Sequence, residues 1–133
     1  MAYQLSVLCR NAMLDAIEVF AGTTPVLKIR TGAQPANCAA ADSGSVVSTI
    51  TLPSDWMAAA DAGAKAMSGT WADASADATG VAAHFRLYKA DGTTCVMQGS
   101  CGESDAQMIL DNTDLNEGQA FSITSFTLTA GNA

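Results

Sequence analysis

The stretch VAAHFRLY, Val81 to Tyr88, followed at once by Lys89-Ala90-Asp91-Gly92-Thr93, decides the fold class. Val81, Ala83, Phe85 and Leu87 fall on one side of an extended chain, and Ala82, His84, Arg86 and Tyr88 fall on the other. The Asp-Gly pair that follows is the strongest short-range hairpin signal, because both residues tolerate the positive φ that tight hairpin turns require. The expected product is an antiparallel pair, with Thr94 to Gln98 returning along Val81 to Tyr88.

Working outward, the same reading recurs on both sides. Val26 to Thr31 and Val46 to Leu52 are predicted strands, separated by a long loop from Gly32 through Gly44 and closed by Pro53-Ser54-Asp55. The Ala-rich Trp56 to Gly63 is expected to be a loop or a single helical turn, and Ala64 to Trp71 a strand. Beyond the central hairpin, Gly99 to Ser104 reads as a turn, Ala106 to Asp111 as a strand and Asn112 to Gly118 as a loop. In the final strand, Gln119 to Thr129, Phe121 and Ile123 are in phase while Phe126 and Leu128 are one residue out. A β-bulge near Thr124-Ser125, or a bend between two sheets, reconciles them.

The exception to this pattern lies near the N-terminus. Leu5, Leu8, Cys9, Ala12, Met13, Ala16, Ile17 and Phe20 recur at the 3, 1, 3, 1 spacing of one helical stripe. Ser6 is the predicted N-cap, and Gly22 with Pro25 ends the helix. Arg10, Asn11, Asp15 and Glu18 occupy the other face. The stripe is expected to cover a sheet face or a neighbouring subunit, so Leu8→Asp should disrupt folding or assembly. The sum is a mainly β domain over residues 1–133, a β-sandwich or jelly roll of about seven strands over 26–129, preceded by one amphipathic helix over 5–21.

Composition narrows the function. Hydrophobic residues make up 49% of the chain and charged ones only 14%, so much of the surface must be Ala, Ser, Thr and Gly, which other protein can cover at small desolvation cost. A net charge of −7 with six Lys and Arg residues disfavours nucleic acid as a partner. No apolar run is long enough to span a membrane, and the first residues do not read as a secretory leader, so no membrane partner is expected.

Little of the chain suggests chemistry. Cys9, Cys38, Cys95 and Cys101 form no CxxC pair and the one histidine is His84, so neither metal nor cofactor is expected. In a reducing cytosol the four cysteines are expected to be free thiols, the short-range alternative being a Cys95–Cys101 bridge formed after lysis. No nucleophile motif or phosphate-binding glycine loop occurs, the acids lie in turns, and the chain is expected not to be an enzyme. His84, Arg86 and Tyr88 share the polar side of one strand and form a candidate contact face. Trp56 and Trp71 are candidates for core or subunit packing, with a sugar-stacking platform as the alternative.

A family resemblance enters through Cys9-Arg10-Asn11-Ala12-Met13-Leu14-Asp15-Ala16-Ile17, followed by Leu27-Lys28-Ile29-Arg30-Thr31-Gly32-Ala33-Gln34-Pro35. This resembles a group of small tailed-bacteriophage proteins in which an RNAMLDA-like helix leads into an L-x-I-Y-x-G-x-x-P strand and turn. Ala76-Asp77-Ala78-Thr79-Gly80, Phe85-Arg86-Leu87-Tyr88, Asp91-Gly92-Thr93 and Ser122 to Leu128 resemble later segments of the same group. Arg30 stands where that group usually has an aromatic, and the cysteines are extra.

The resemblance implies a virion structural protein made in the host cytoplasm, foremost a capsid decoration (cement) protein. Its partners would be the major capsid protein and further copies of itself, as a dimer or trimer. The alternatives are a neck or tail adaptor, a fibre component, and a carbohydrate-binding β-sandwich using Trp56, Trp71 or Tyr88. Leu8, Trp56, Trp71, His84, Arg86 and Tyr88 are the candidate interface residues.

Overall fold

The computed structural model describes residues 3–131. One helix, α1 (Val7–Ala21), precedes ten strands: β1 (Val26–Arg30), β2 (Val46–Thr51), β3 (Ala64–Ala66), β4 (Ala72–Asp73), β5 (Gly80–Val81), β6 (His84–Tyr88), β7 (Cys95–Gly102), β8 (Met108–Leu110), β9 (Asp114–Leu115) and β10 (Phe121–Thr129). The mainly β expectation holds, with one N-terminal helix and a curled sheet. Along the sheet the order is β2-β1-β6-β7-β8-β10-β3, with β4 also paired to β10, while β5 and β9 form a small separate ladder. All pairs are antiparallel except β7 with β8. The sheet curls far enough for edge strand β2 to meet β4: Ser48 donates its hydroxyl to Asp73, and the Asp77 amide donates to the Val47 carbonyl.

The helix ends follow local chemistry. Ser6 is extended, and its Oγ accepts from the Cys9 amide at 3.1 Å, supplying one of the acceptors that an α-helix lacks at its start. Gly22 closes the helix at φ 80°, donating to the Glu18 carbonyl. The turn after β6 is organised by Asp91, whose carboxylate accepts from the Thr93 and Thr94 amides and the Thr94 hydroxyl. These bonds, the Thr94 hydroxyl foremost, pull its pKa down to about 2.

The core is one cluster, built around the inward side chains of β1, β2, β6, β8 and β10. Trp56, Trp71, Phe126 and Phe85 form a chain of tilted and edge-on ring contacts with centroids 5.4–6.0 Å apart. In β10 the pairing with β8 slips between Ile123 and Ser125, so the bulge falls at Thr124. It returns Phe126 to the core side that Phe121 and Ile123 occupy, each being 3–4% exposed.

Two predicted strands and one predicted turn are redrawn. Val81 to Tyr88 is not continuous: β5 ends at Val81, which is 58% exposed, and Ala82 turns inward, its amide bonded to the Thr113 carbonyl, before β6 begins. Ala64 to Trp71 is a strand only over Ala64–Ala66, because Gly69 at φ 73° turns the chain ahead of β4. The predicted turn from Gly99 is instead strand as far as Gly102. Gly99 lets the Phe85 ring lie against the β7 backbone, since a Cβ there would stand 2.7 Å from the ring.

Candidate functional site

Two features stand apart from ordinary core and surface: a sheet face carrying three basic side chains, and a helix docked through its polar side.

On β1 and β6 the side chains pointing away from the aromatic core are Lys28, Arg30, His84, Arg86 and Tyr88, brought together by the pairing of Lys28 with Arg86 and Arg30 with His84. The loop between β1 and β2 lies over them. Asp42 supplies the central carboxylate, 2.8 Å from Arg86 Nη1 and 3.1 Å from Arg30 Nη2, and accepts the Tyr88 hydroxyl at 2.6 Å. Arg86 is further held by donation to Gln98 Oε1, 3.0 Å, and to the carbonyls of Asn37 and Ala40, 2.9 and 3.1 Å. Tyr88, then Arg86 and Arg30, hold the Asp42 carboxyl below the usual carboxylate range. Burial raises the Tyr88 phenol, reinforced by its bond to Asp42.

His84 sits 2.9 Å from the Gly32 carbonyl through Nδ1. A carbonyl only accepts, so Nδ1 carries the proton. Burial, together with the charges of Arg30 and Arg86, depresses the His84 pKa and keeps the ring neutral. The Cys38–Cys95 disulfide pins the covering loop to the start of β7.

These contacts correct several expectations. His84, Arg86 and Tyr88 do lie on one face, but they are 1–2% exposed and are spent on the chain's own loop, so they form no surface patch. The alternation was read correctly over His84 to Tyr88, though not at Val81 and Ala82; what it could not reveal is that a loop covers the polar side. Trp56 and Trp71, at 0% and 1% exposure, are core residues and offer no stacking platform. Their indole N–H groups donate to the carbonyls of Gly22 and Ser68. The cysteines are not four free thiols, and Cys95 is bonded to Cys38 and not to Cys101. The long loop folds back over the sheet and carries Cys38 to Cys95 across 57 positions. Of the two free thiols, Cys101 is half-buried, its desolvation pushing its pKa up to about 12, and Cys9 is exposed.

The helix corrects the reading more deeply. Its sheet-facing side holds Leu14 and Ala21 and, around them, the residues expected to face water. Asn11 accepts from the Gly63 amide at 2.9 Å, Asp15 from the Ala60 amide at 3.1 Å, and Arg10 donates to the Ala130 carbonyl at 3.1 Å. Lys65 on β3 points into this seam with its side chain 1% exposed, 2.6 Å from Asp15 and 2.8 Å from Glu18, and it also donates to the Ala58 carbonyl. Burial opposes the Lys65 charge, but the bonds to Asp15 and Glu18 outweigh it and the pKa is raised; Asp15 is correspondingly lowered, chiefly by Lys65. Gly63 is required here: it sits at φ 76°, and a Cβ would collide with the Arg10 guanidinium.

With its polar side turned inward, α1 presents its apolar stripe to solvent. Leu8 is 77% exposed, Val19 81%, Phe20 55% and Met13 50%, with Cys9, Ala12 and Ala16 between them. At 100° per residue these positions span an arc of about 140° that contains no charged or polar side chain. At one rim Lys89 holds its ammonium 4.1 Å over the Phe20 ring, and at the other Asp15, its side chain 49% exposed and paired with Lys65, lies about 20° beyond Leu8.

Among the described residues, no helix is long and apolar enough to cross a membrane. Fold and site together define a small mainly β protein with a closed polar face and an uncovered apolar helix. Comparison with protein-family models, with curated proteins and with solved structures found no match to this chain.

Proposed function

We propose that this chain is a structural, non-enzymatic assembly protein, and specifically a component of a tailed-phage virion that decorates the capsid and stabilises the head by bridging capsid subunits. The observation that carries the assembly reading is the outward apolar face of α1. A contiguous apolar face of this kind on a small domain marks a surface intended for cover, unlike a scattered exposed Leu. The phage assignment rests on the resemblance of Cys9 to Ile17 and Leu27 to Pro35 to small tailed-phage proteins.

The mechanism is linkage. A protein that binds assembled shell and not free subunits stabilises the shell by mass action, with the effect multiplied over every lattice site. The charge of −7 suits a protein that stays outside the packaged DNA. The Cys38–Cys95 bond suits a particle that ends its life outside a reducing cytosol.

The test is reconstitution. Heads purified from a phage lacking this chain should take up the purified protein saturably, at a ratio fixed by the capsid lattice, and should then open at a higher temperature. Heads that neither bind it nor gain thermal stability would overturn the proposal.

A further inference from the structure

We infer that the outward face of α1 is the interface of a two-fold homodimer, in which a second copy of this chain lays its α1 antiparallel across the first. The inference rests on reading α1 as a docking surface, and it does not depend on the phage assignment.

Charge is the first argument for a second copy as occupant. Two chains that each carry −7 repel one another across most orientations. On α1, however, Arg10 and Glu18 are bonded to the chain's own Ala130 and Lys65, and Asp15, half-exposed at the edge of the arc, is paired with the same Lys65. The arc around Ala12 therefore brings no unpaired acids together when two copies meet. Shape is the second argument. Cys9, Ala12 and Ala16 run along the midline, with larger side chains on both edges. Small residues on the midline allow two helix axes to approach to about 8 Å, and the flanking side chains then interdigitate.

Area is the third argument. Leu8, Val19, Phe20 and Met13, at 77%, 81%, 55% and 50% exposure, together with the midline, offer roughly 600 Å² per copy. Two copies therefore bury at most about 1,200 Å² in total, which reaches the lower bound of stable specific interfaces. A two-fold contact also covers the whole face in a closed pair, whereas a head-to-tail contact leaves an open end.

The test measures mass and contact separately. By light scattering on a sizing column at about 100 μM, the wild-type chain should run at twice its 13.6 kDa mass. The double variant Met13→Glu/Val19→Glu should weaken association at least a hundredfold and run as a monomer, with unchanged circular dichroism and melting, since both positions are exposed in the single chain. In a Cys9→Ser background, Ala12→Cys should give a disulfide-linked dimer on mild oxidation, and Ser104→Cys, exposed and remote from α1, should not. A monomeric wild type would overturn the inference, as would a dimer that survives the double variant or fails to cross-link at position 12. If the wild type is monomeric yet heads bind it, this inference fails and the decoration reading stands. If it dimerises as described and heads ignore it, the reverse holds.

Discussion

Replacing Leu14 and replacing Leu8 should have opposite consequences from those their places in the sequence suggest. Leu14 is 3% exposed at the seam between α1 and the sheet, whereas Leu8 is 77% exposed. Leu14→Ala removes buried methyl and methylene groups and leaves a cavity. Because Leu14 lies at the edge of the core and not in its aromatic centre, the cost belongs to the lower part of the range for such truncations, about 2–3 kcal/mol. For a chain of this size that is roughly 6–15 °C in melting temperature.

Leu8→Asp buries nothing new. Its helix-propensity cost of about 0.5 kcal/mol is offset by a similar gain from a carboxylate in the first turn, where α1 has no acid of its own. The net change is within about 0.5 kcal/mol. Both variants are best measured by urea unfolding in the Val19→Glu background, which removes any contribution from contact between copies. If Leu8→Asp cost more than about 2 kcal/mol while Leu14→Ala was neutral, α1 would be docked through its apolar stripe and the orientation described above would be wrong.

Three further outcomes follow from the closed face. Asp42→Asn should lower stability by about 2–3 kcal/mol, less than the ~3–5 kcal/mol for breaking a fully buried pair because the Asp42 side chain is 43% exposed; a loss under 0.5 kcal/mol in chemical denaturation would mean the loop is held by other contacts. His84, with its folded pKa depressed below 6.5, stays neutral while the unfolded chain takes up a proton, so stability is full above about pH 6.5 and falls as the pH drops toward the depressed value. His84→Asn, which keeps a donor for the Gly32 carbonyl, should flatten the melting temperature between pH 7 and 5, and an unchanged slope would exclude His84 as its source; the lowered carboxyls of Asp15, Asp42 and Asp91 act only at lower pH, as they protonate below about 4. Cys38→Ser should cost about 2–4 kcal/mol by freeing a closure of 57 positions, and equal stability of the oxidised and reduced wild type would contradict the bridge.

What could be read from the sequence was set by local physics. The Ser6 cap, the Gly22 stop, the Asp91 turn and the bulge at Thr124 each depend on residues within a few positions of one another. The orientation of α1 depends on partners about fifty positions away: the amides of Ala60 and Gly63 and the ammonium of Lys65. Periodicity identifies a two-sided helix but assigns its apolar side to the core by default, and here a buried lysine with two acids reverses that assignment. The available signal was the i, i+3 pair Asp15 and Glu18 on one side, together with a lysine placed where a strand flanked by alanines needed an apolar residue.

The closed cationic face was half legible. Lys28, Arg30 and Arg86 are three of the six basic residues, and all fall on strands predicted from the sequence. That gathering already called for a carboxylate nearby, but which acid the loop would bring could not be read from spacing. For the same reason the alternation of β6 was visible while the burial of His84, Arg86 and Tyr88 was not.

The central claim, that this chain is an assembly protein of a phage particle, is tested most directly by counting its copies in purified virions by quantitative mass spectrometry. The account predicts a number comparable to that of the major capsid protein. Absence from the particle would contradict it, and so would the about six to twelve copies expected of a ring at the neck or tail tip.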